Sequence, residues 1–326
     1  MRRLLLVLCL LLAGYCRLAA DQPVPSGIKL VPSARIHHDP VHETSGTAQS
    51  QRYPGVFWIH NDSGDMPRLF AIDASGNVLF PKWMAERGFV TGRPVEGKQL
   101  YEGLKIESAS HIDWESVSLD GDTMYVCDVG NNGNARRDLG VYVLCEPNPR
   151  AVHNTRVLKW LPIAYPDQDQ FPPTDVWEFD CEATFVYRHK LYFLTKHRPP
   201  FRIGTPVTST KLYRLDSQKT DEVNELVPVD RHPDLGGWVT DAALSAAGKS
   251  LAVLCASPVQ SVWLFDTPQE GDQFLSSPAR RLVFQDAGQC EGLSFIDEDH
   301  LLLTNEEQQL FVLDVRDFQP VVTAHP

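Results

Sequence analysis

Cysteine is scarce in this sequence, and the first exclusion comes from that. Of seven cysteines, two lie in the N-terminal segment. The other five, Cys127, Cys145, Cys181, Cys255 and Cys290, are odd in number and scattered, which excludes a disulfide framework. They read as buried free thiols acting as small apolar groups. Positive charge is also in deficit: 30 Lys+Arg stand against 42 Asp+Glu, a net charge of −12. That balance argues against a nucleic-acid backbone or an anionic membrane surface as partner. Long apolar runs are missing too. Only residues 4–13 sustain one, and that run is too short to span a bilayer. There is no G-x-S-x-G elbow, H-E-x-x-H pair, P-loop or dinucleotide fingerprint. These absences argue against the common serine hydrolases, zinc proteases, NTPases and dehydrogenases.

The apolar run reads as a targeting segment. Arg2-Arg3 precede it and Ala19-Ala20 follow it, so a secretory signal peptide is expected over residues 1–20. Residues 21–326 would then be a single secreted or periplasmic domain, monomeric and without a transmembrane segment. Tyr15 stands where a lipobox needs a small residue before Cys16, so no lipid anchor is expected there. Without Arg2, Arg3 and Arg17, 27 basic residues face 42 acidic ones, a net charge of −15.

What the chain does have is turns and short β-patterned runs. Its 24 prolines and 21 glycines suit a turn-rich β protein. The stretch ASHIDWESVSLDGDTMYVCDVGNN sets the theme: a carboxylate, a strand, a tight turn at Asp120-Gly121-Asp122, a second strand, and a polar loop. The theme recurs at HETSG (Glu43), DCEAT (Glu182), VTDAA (Asp241) and QCEGL (Glu291). Copies one to four supply about four strands each, with GNVLF the candidate fourth strand of copy one. Copy five supplies three. The unassigned run at residues 28–36 is the missing one. This predicts an all-β fold, a five-bladed β-propeller closed by an N-terminal strand that completes the last blade. Blades start near 43, 115, 182, 241 and 291. Residues 81–112 read as an excursion carrying loop structure and a short helix at WMAERG.

In a propeller the innermost strands surround the axis, so residues at their starts form a ring. Glu43, Glu115, Glu182, Asp241 and Glu291 would then converge. Carboxylates at close range repel by several kcal/mol, on the order of 4 kcal/mol at 4 Å. A hard cation such as Ca²⁺, or another divalent ion, is the simplest compensation. The other reading is that the carboxylates tie blades together through backbone N–H groups. The second strand of each blade returns to the same face. Its end carries candidate catalytic side chains His60, Asp62, Lys196, His197 and Arg198. Candidate substrate-binding residues there are Asn61, Asp128, Asn131, Asn132, Arg136 and Asn305. Asn61-Asp62-Ser63 also forms a glycosylation sequon. His37, His38 and His42 lack regular ligand spacing and read as solvated loop residues.

At HNDSGD, IDWESV, CDVGNN, DCEAT…LYFLTK and QCEGL the chain resembles a family of secreted bacterial propellers labelled phytase-like or esterase-like, related to the SdiA-regulated group. The likeness covers most of the chain after about residue 40. A five-blade count departs from the six blades of true β-propeller phytases. The architecture also resembles the five-bladed calcium-activated nucleotidases. That resemblance implies one axial Ca²⁺, with Glu115, Glu182 and Glu291 at matching strand starts.

Three functions fit. In the first, a metal-dependent hydrolase acts on a phosphate ester or another small anionic molecule. Lys196, Arg198 and Arg136 would neutralise charge, and His60 or Asp62 would activate water. In the second, a non-catalytic propeller with structural calcium binds an envelope ligand through Trp58, Trp83, Trp177 or Tyr101. In the third, a lactonase or esterase works at the same metal.

Overall fold

The computed structural model describes residues 27–321, and the signal-peptide expectation over residues 1–20 lies outside them. Five antiparallel sheets stand in a ring, a five-bladed β-propeller. Blade one is Thr44–Gln49, Phe57–Asn61, Arg68–Ile72 and Leu104–Glu107. Blade two is Trp114–Asp120, Thr123–Asp128, Gly140–Cys145 and Lys159–Ala164. Blade three is Trp177–Tyr187, Lys190–Arg198, Thr210–Arg214 and Val227–His232. Blade four is Gly237–Leu244, Ser250–Pro258, Ser261–Asp266 and Ala279–Gln285. Blade five is Cys290–Phe295, His300–Asn305 and Gln309–Asp314, closed by Ala34–Arg35 from the N-terminal side. No helix among the described residues is long and apolar enough to cross a membrane.

Strand composition follows strand position. The second strands read FWIH, MYVC, LYFLT, LAVLC and LLLT. They are buried on both sides because each blade packs between two others. The first strands converge on the axis and each touches the next, and those of blades one and four are rich in Gly, Ala, Ser and Thr. Gly292 shows how tight that centre is. A Cβ there would stand 2.1 Å from Thr304 Oγ1 and 2.2 Å from Thr47 Oγ1.

The closure has more parts than the sequence suggested. Only Ala34–Arg35 completes blade five, whereas Ile28–Lys29 pairs in parallel with the outer strand of blade four. The same lacing recurs elsewhere. Asn154–Arg156, just before blade two's outer strand, pairs in parallel with blade one. Asn224–Glu225, just before blade three's, does so with blade two. The outer edges of blades one, two and four are thereby covered, which removes exposed strand edges that invite aggregation.

The fourth strand of blade one is Leu104–Glu107, not GNVLF, of which only Val78–Leu79 pairs. Residues 81–103 form the true excursion, with a helix at Lys82–Glu86. His38 pins it. This histidine is buried, not solvated: the Gly92 N–H donates to its Nδ1 at 3.1 Å, and its Nε2 meets Tyr101 O at 2.7 Å. Four of the five cysteines are buried free thiols, and Cys145 is exposed. Trp58, Trp177 and Tyr101 are core residues rather than exposed contacts, and Trp83 is partly buried.

Candidate functional site

All five first strands contain a β-bulge, and the bulges set the register of the mouth. The pairing skips one residue between Ser45 and Thr47, Trp114 and Ser116, Cys181 and Ala183, Val239 and Asp241, and Cys290 and Gly292. The extra residues are Gly46, Glu115, Glu182, Thr240 and Glu291. A bulge re-aims its side chain out of the pleat. Three of the five expected ring carboxylates, Glu115, Glu182 and Glu291, occupy equivalent bulge positions. Glu43 and Asp241 do not.

Glu43 lies three residues before its bulge, with a side chain 62% exposed. Asp241 lies one residue after its bulge and is buried. It accepts hydrogen bonds from the N–H groups of Leu293 (2.7 Å), Ala242 (2.8 Å) and Thr47 (3.1 Å). Ser116 holds the corresponding place in blade two and accepts from Thr184 N–H at 3.1 Å. Asp241 is therefore a tie between blades, the other reading weighed from the sequence.

The remaining carboxylates gather with partners that the sequence did not single out. Oxygens of Asp62, Asp113 and Glu115 all lie within 4.8 Å of one another, and so do oxygens of Asp62, Glu291 and Glu306. Asp62 belongs to both sets. Asp113 is two residues from Glu115, and Gly130 of the DVGNN loop makes room for both. A Cβ on Gly130 would be 2.4 Å from the Asp113 carboxyl carbon and from Glu115 Oε1.

The two sets differ in their hydrogen bonding. Gln289 Nε2 donates to Glu291 at 2.8 Å and to Glu306 at 2.6 Å. Among the described residues, no donor reaches the carboxylates of Asp113 or Glu115, although Glu115 is only 5% exposed. A buried carboxylate without a donor is costly unless it takes a proton or a cation. Burial, then Glu182 and Asp113, holds the Glu115 carboxyl well above the usual range. Burial, then Asp180 and Asp62, pushes Asp113 up to about 7. Burial, then Glu291 and Asp62, pushes Glu306 up to about 7 as well. Burial also raises Asp62 and Glu291.

The cations at the mouth are already engaged. Lys196 Nζ pairs with Glu182 at 2.9 Å, and its ammonium lies 5.1 Å from the Trp238 ring centroid. Burial lowers its pKa, but Glu182 and Asp180 outweigh that and keep it charged. Arg198 grips the fully buried Asp180, reaches Asn132 Oδ1 and packs on Trp238. Arg136 binds Asp128 at 2.8 Å, Asp138 at 3.1 Å and Gly130 O at 2.8 Å.

The other sequence candidates brace loops. Asn61 accepts from His42 N–H and donates to Pro40 O and Asp65, and its burial leaves the sequon no room for a glycan. Asp128 accepts from the N–H groups of Ile112 and Asp113. Asn131 donates to Phe179 O and accepts from Arg136 N–H. Asn305 donates to Ala287 O and accepts from Gln309 N–H.

Neither histidine faces the mouth. His60 is sealed between blades beside Trp114 and His111, and burial lowers its pKa to about 3. His197 alternates away from Lys196, is held by Thr195 and Ser209, and is lowered to about 4 by burial. Both are neutral near pH 7, and neither is placed to activate water at the carboxylates.

No family model matches the chain, and no curated protein does. Among solved structures it is similar to glutaminyl cyclase from Myxococcus xanthus, at 11% identity and a TM-score of 0.41 over 91% of this chain and 100% of that one. It is also similar to XC5397 of Xanthomonas campestris, described as a gluconolactonase, at 13% identity and a TM-score of 0.38 over 90% of this chain and 89% of that one. A chain of a mitotic checkpoint complex matches at 10% identity and a TM-score of 0.42, over 95% of this chain and 99% of that one. These neighbours share the β-propeller architecture.

Proposed function

We propose that the chain is a divalent-cation-binding β-propeller, with calcium the expected ion and Asp62, Asp113 and Glu115 its ligands. One observation supports this most. The Glu115 side chain is buried, its carboxylate clusters with those of Asp62 and Asp113, and among the described residues no donor reaches it. An all-oxygen donor set suits a hard cation, and among the described residues no histidine or cysteine joins it. Three carboxylates leave room for water, which Ca²⁺ accepts in its six to eight positions. The reading moves the ion off the axis, to the seam of blades one and two. Glu182 is outside it because Lys196 already neutralises that side chain.

A bound ion would supply Lewis-acid polarisation of a carbonyl or phosphoryl oxygen. Of the groups facing the mouth, Glu306 is poised to take or give a proton near neutrality. The charge pattern favours an uncharged ester or lactone over a phosphate ester. Asp62, Asp113, Glu115, Asp128, Asp180, Glu182, Glu291 and Glu306 outnumber Lys196, Arg198 and Arg136, and each of those cations is paired. A phosphate would enter a field of its own sign, where Arg136 and Arg198 are already paired.

Calorimetric titration of calcium into the chelator-treated protein tests the reading. One equivalent should bind, and Asp62→Asn should weaken binding by about a hundred-fold or more. That expectation scales from outer-shell partners, whose loss alone costs about 10–100-fold. A wild type that takes up no Ca²⁺, Mg²⁺ or Mn²⁺ would remove the cation from the account. Calcium uptake without turnover of any ester, lactone or phosphoester would leave a binding propeller with a structural ion.

A further inference from the structure

The blades do not share the mouth equally. Blades one, two and five bring the clustered carboxylates, and blade three brings Lys196 and Arg198. Blade four adds no side chain to the cluster, its Asp241 being tied to backbone N–H groups. Its bulge residue is Thr240, whose hydroxyl donates to Cys290 O at 2.9 Å. Its second strand ends in Ala256-Ser257-Pro258, where blades three and five carry Lys196 and Glu306.

In this neutral sector lies a cavity of about 650 Å³. Trp238, Val259, Val283 and Phe284 are among the residues that line it. Lys196 and Glu291 line it too, so the cavity joins the carboxylate cluster. Its volume is in the range that takes a small organic molecule. The Trp238 ring is held in place: Nε1 donates to His197 O at 2.6 Å, and Lys196 and Arg198 each approach its centroid at 5.1 Å. A fixed indole is a ready surface for a planar or apolar group.

The inner end has one donor and one acceptor to offer. Lys196 uses its ammonium on Glu182 and has further N–H groups to give. Glu291 accepts from Gln289 and has lone pairs to spare. Their charges oppose, so neither an anion nor a cation gains a net partner here. An uncharged molecule with a carbonyl at its head and an apolar body meets both needs.

We propose that the blade-four cavity binds the body of an uncharged, partly apolar ester-like ligand, its carbonyl turned toward Lys196. This deepens the neutral-substrate reading and rests on it for turnover, while binding stands apart from it. The probe is N-phenylbutanamide, an uncharged amide with one carbonyl and one aromatic ring, titrated calorimetrically into the full chain with and without calcium.

The wild type should bind it. Val283→Trp, which fills the cavity from an outer strand, should weaken binding by about ten-fold or more, equivalent to about 1.4 kcal/mol. Ala256→Leu is a smaller intrusion and should act in the same direction if the tryptophan variant does not fold. Calcium affinity should be unchanged in both variants. Phenyl phosphate should not bind without calcium. Absence of amide binding to the wild type, binding indifferent to both variants, or tighter binding of phenyl phosphate would overturn the assignment. Loss of calcium uptake in the wild type would instead sink the cation site and leave the amide result standing.

Discussion

Replacing Asp113 by Asn should stabilise the calcium-free protein and destabilise the calcium-loaded one. The reasoning follows from where its proton sits. In the folded chain Asp113 holds its proton up to about 7, because burial, Asp180 and Asp62 all oppose its charge. In the unfolded chain it ionises near 4. Between those values the folded state binds more protons, so its stability falls as pH rises, and above about 7 the loss is complete. Asparagine removes the charge and the loss with it. In chelator the variant should match the wild type near pH 4 and exceed it by pH 8, by on the order of 2 kcal/mol.

The neutral histidines of the core oppose this trend in the same pH range, because burial lowers His60 and His197. The quantity to measure is therefore the difference between variant and wild type, not either curve alone. Saturating calcium should reverse the sign. The wild type gains about 2.7 kcal/mol at a hundred times its Kd, and the variant forfeits most of that. Melting curves in chelator and in calcium, from pH 4.5 to 8, give both signs in one experiment. A variant less stable than the wild type in both conditions would mean that Asp113 is a structural group.

Asp241→Ala should be among the most damaging single changes in the molecule, and it should leave calcium affinity intact. The Asp241 carboxylate serves N–H groups of Thr47 in blade one, Leu293 in blade five and its neighbour Ala242. Alanine orphans buried donors on two other blades, each at about 1–3 kcal/mol, for a total on the order of 2–6 kcal/mol. Denaturant unfolding read beside calcium calorimetry separates the two roles. Full stability with lost calcium would return Asp241 to the ligand set.

These two aspartates show what the sequence could and could not reveal. The propeller was legible because a carboxylate, a strand, a turn, an apolar second strand and a polar loop recur five times, and because copy five lacked a strand. The ring register was not. A β-bulge inserts one residue without marking the sequence, so aligning copies on their carboxylates equated Glu43 and Asp241 with Glu115. The bulge positions are in fact Gly46 and Thr240. Asp113 had a signal: in an extended strand it shares a face with Glu115, two residues on.

Strand length misled the reading of the histidines. Taken as loop residues, His60 and His197 looked available. The second strands of blades one and three run on to Asn61 and Arg198, and burial takes both histidines with them. Trp238 gave no signal of its own. Its place beside Lys196 and Arg198 depends on how blade four meets blade three.

The most direct test is to locate the ion. Crystals grown with Mn²⁺ as a calcium stand-in, with anomalous data collected near its absorption edge, show where the cation sits without reference to activity. The account predicts one dominant anomalous peak between the carboxylates of Asp62, Asp113 and Glu115, absent from Asp62→Asn crystals. A peak on the propeller axis against Glu182 and Glu291, or no peak at the mouth, would contradict it.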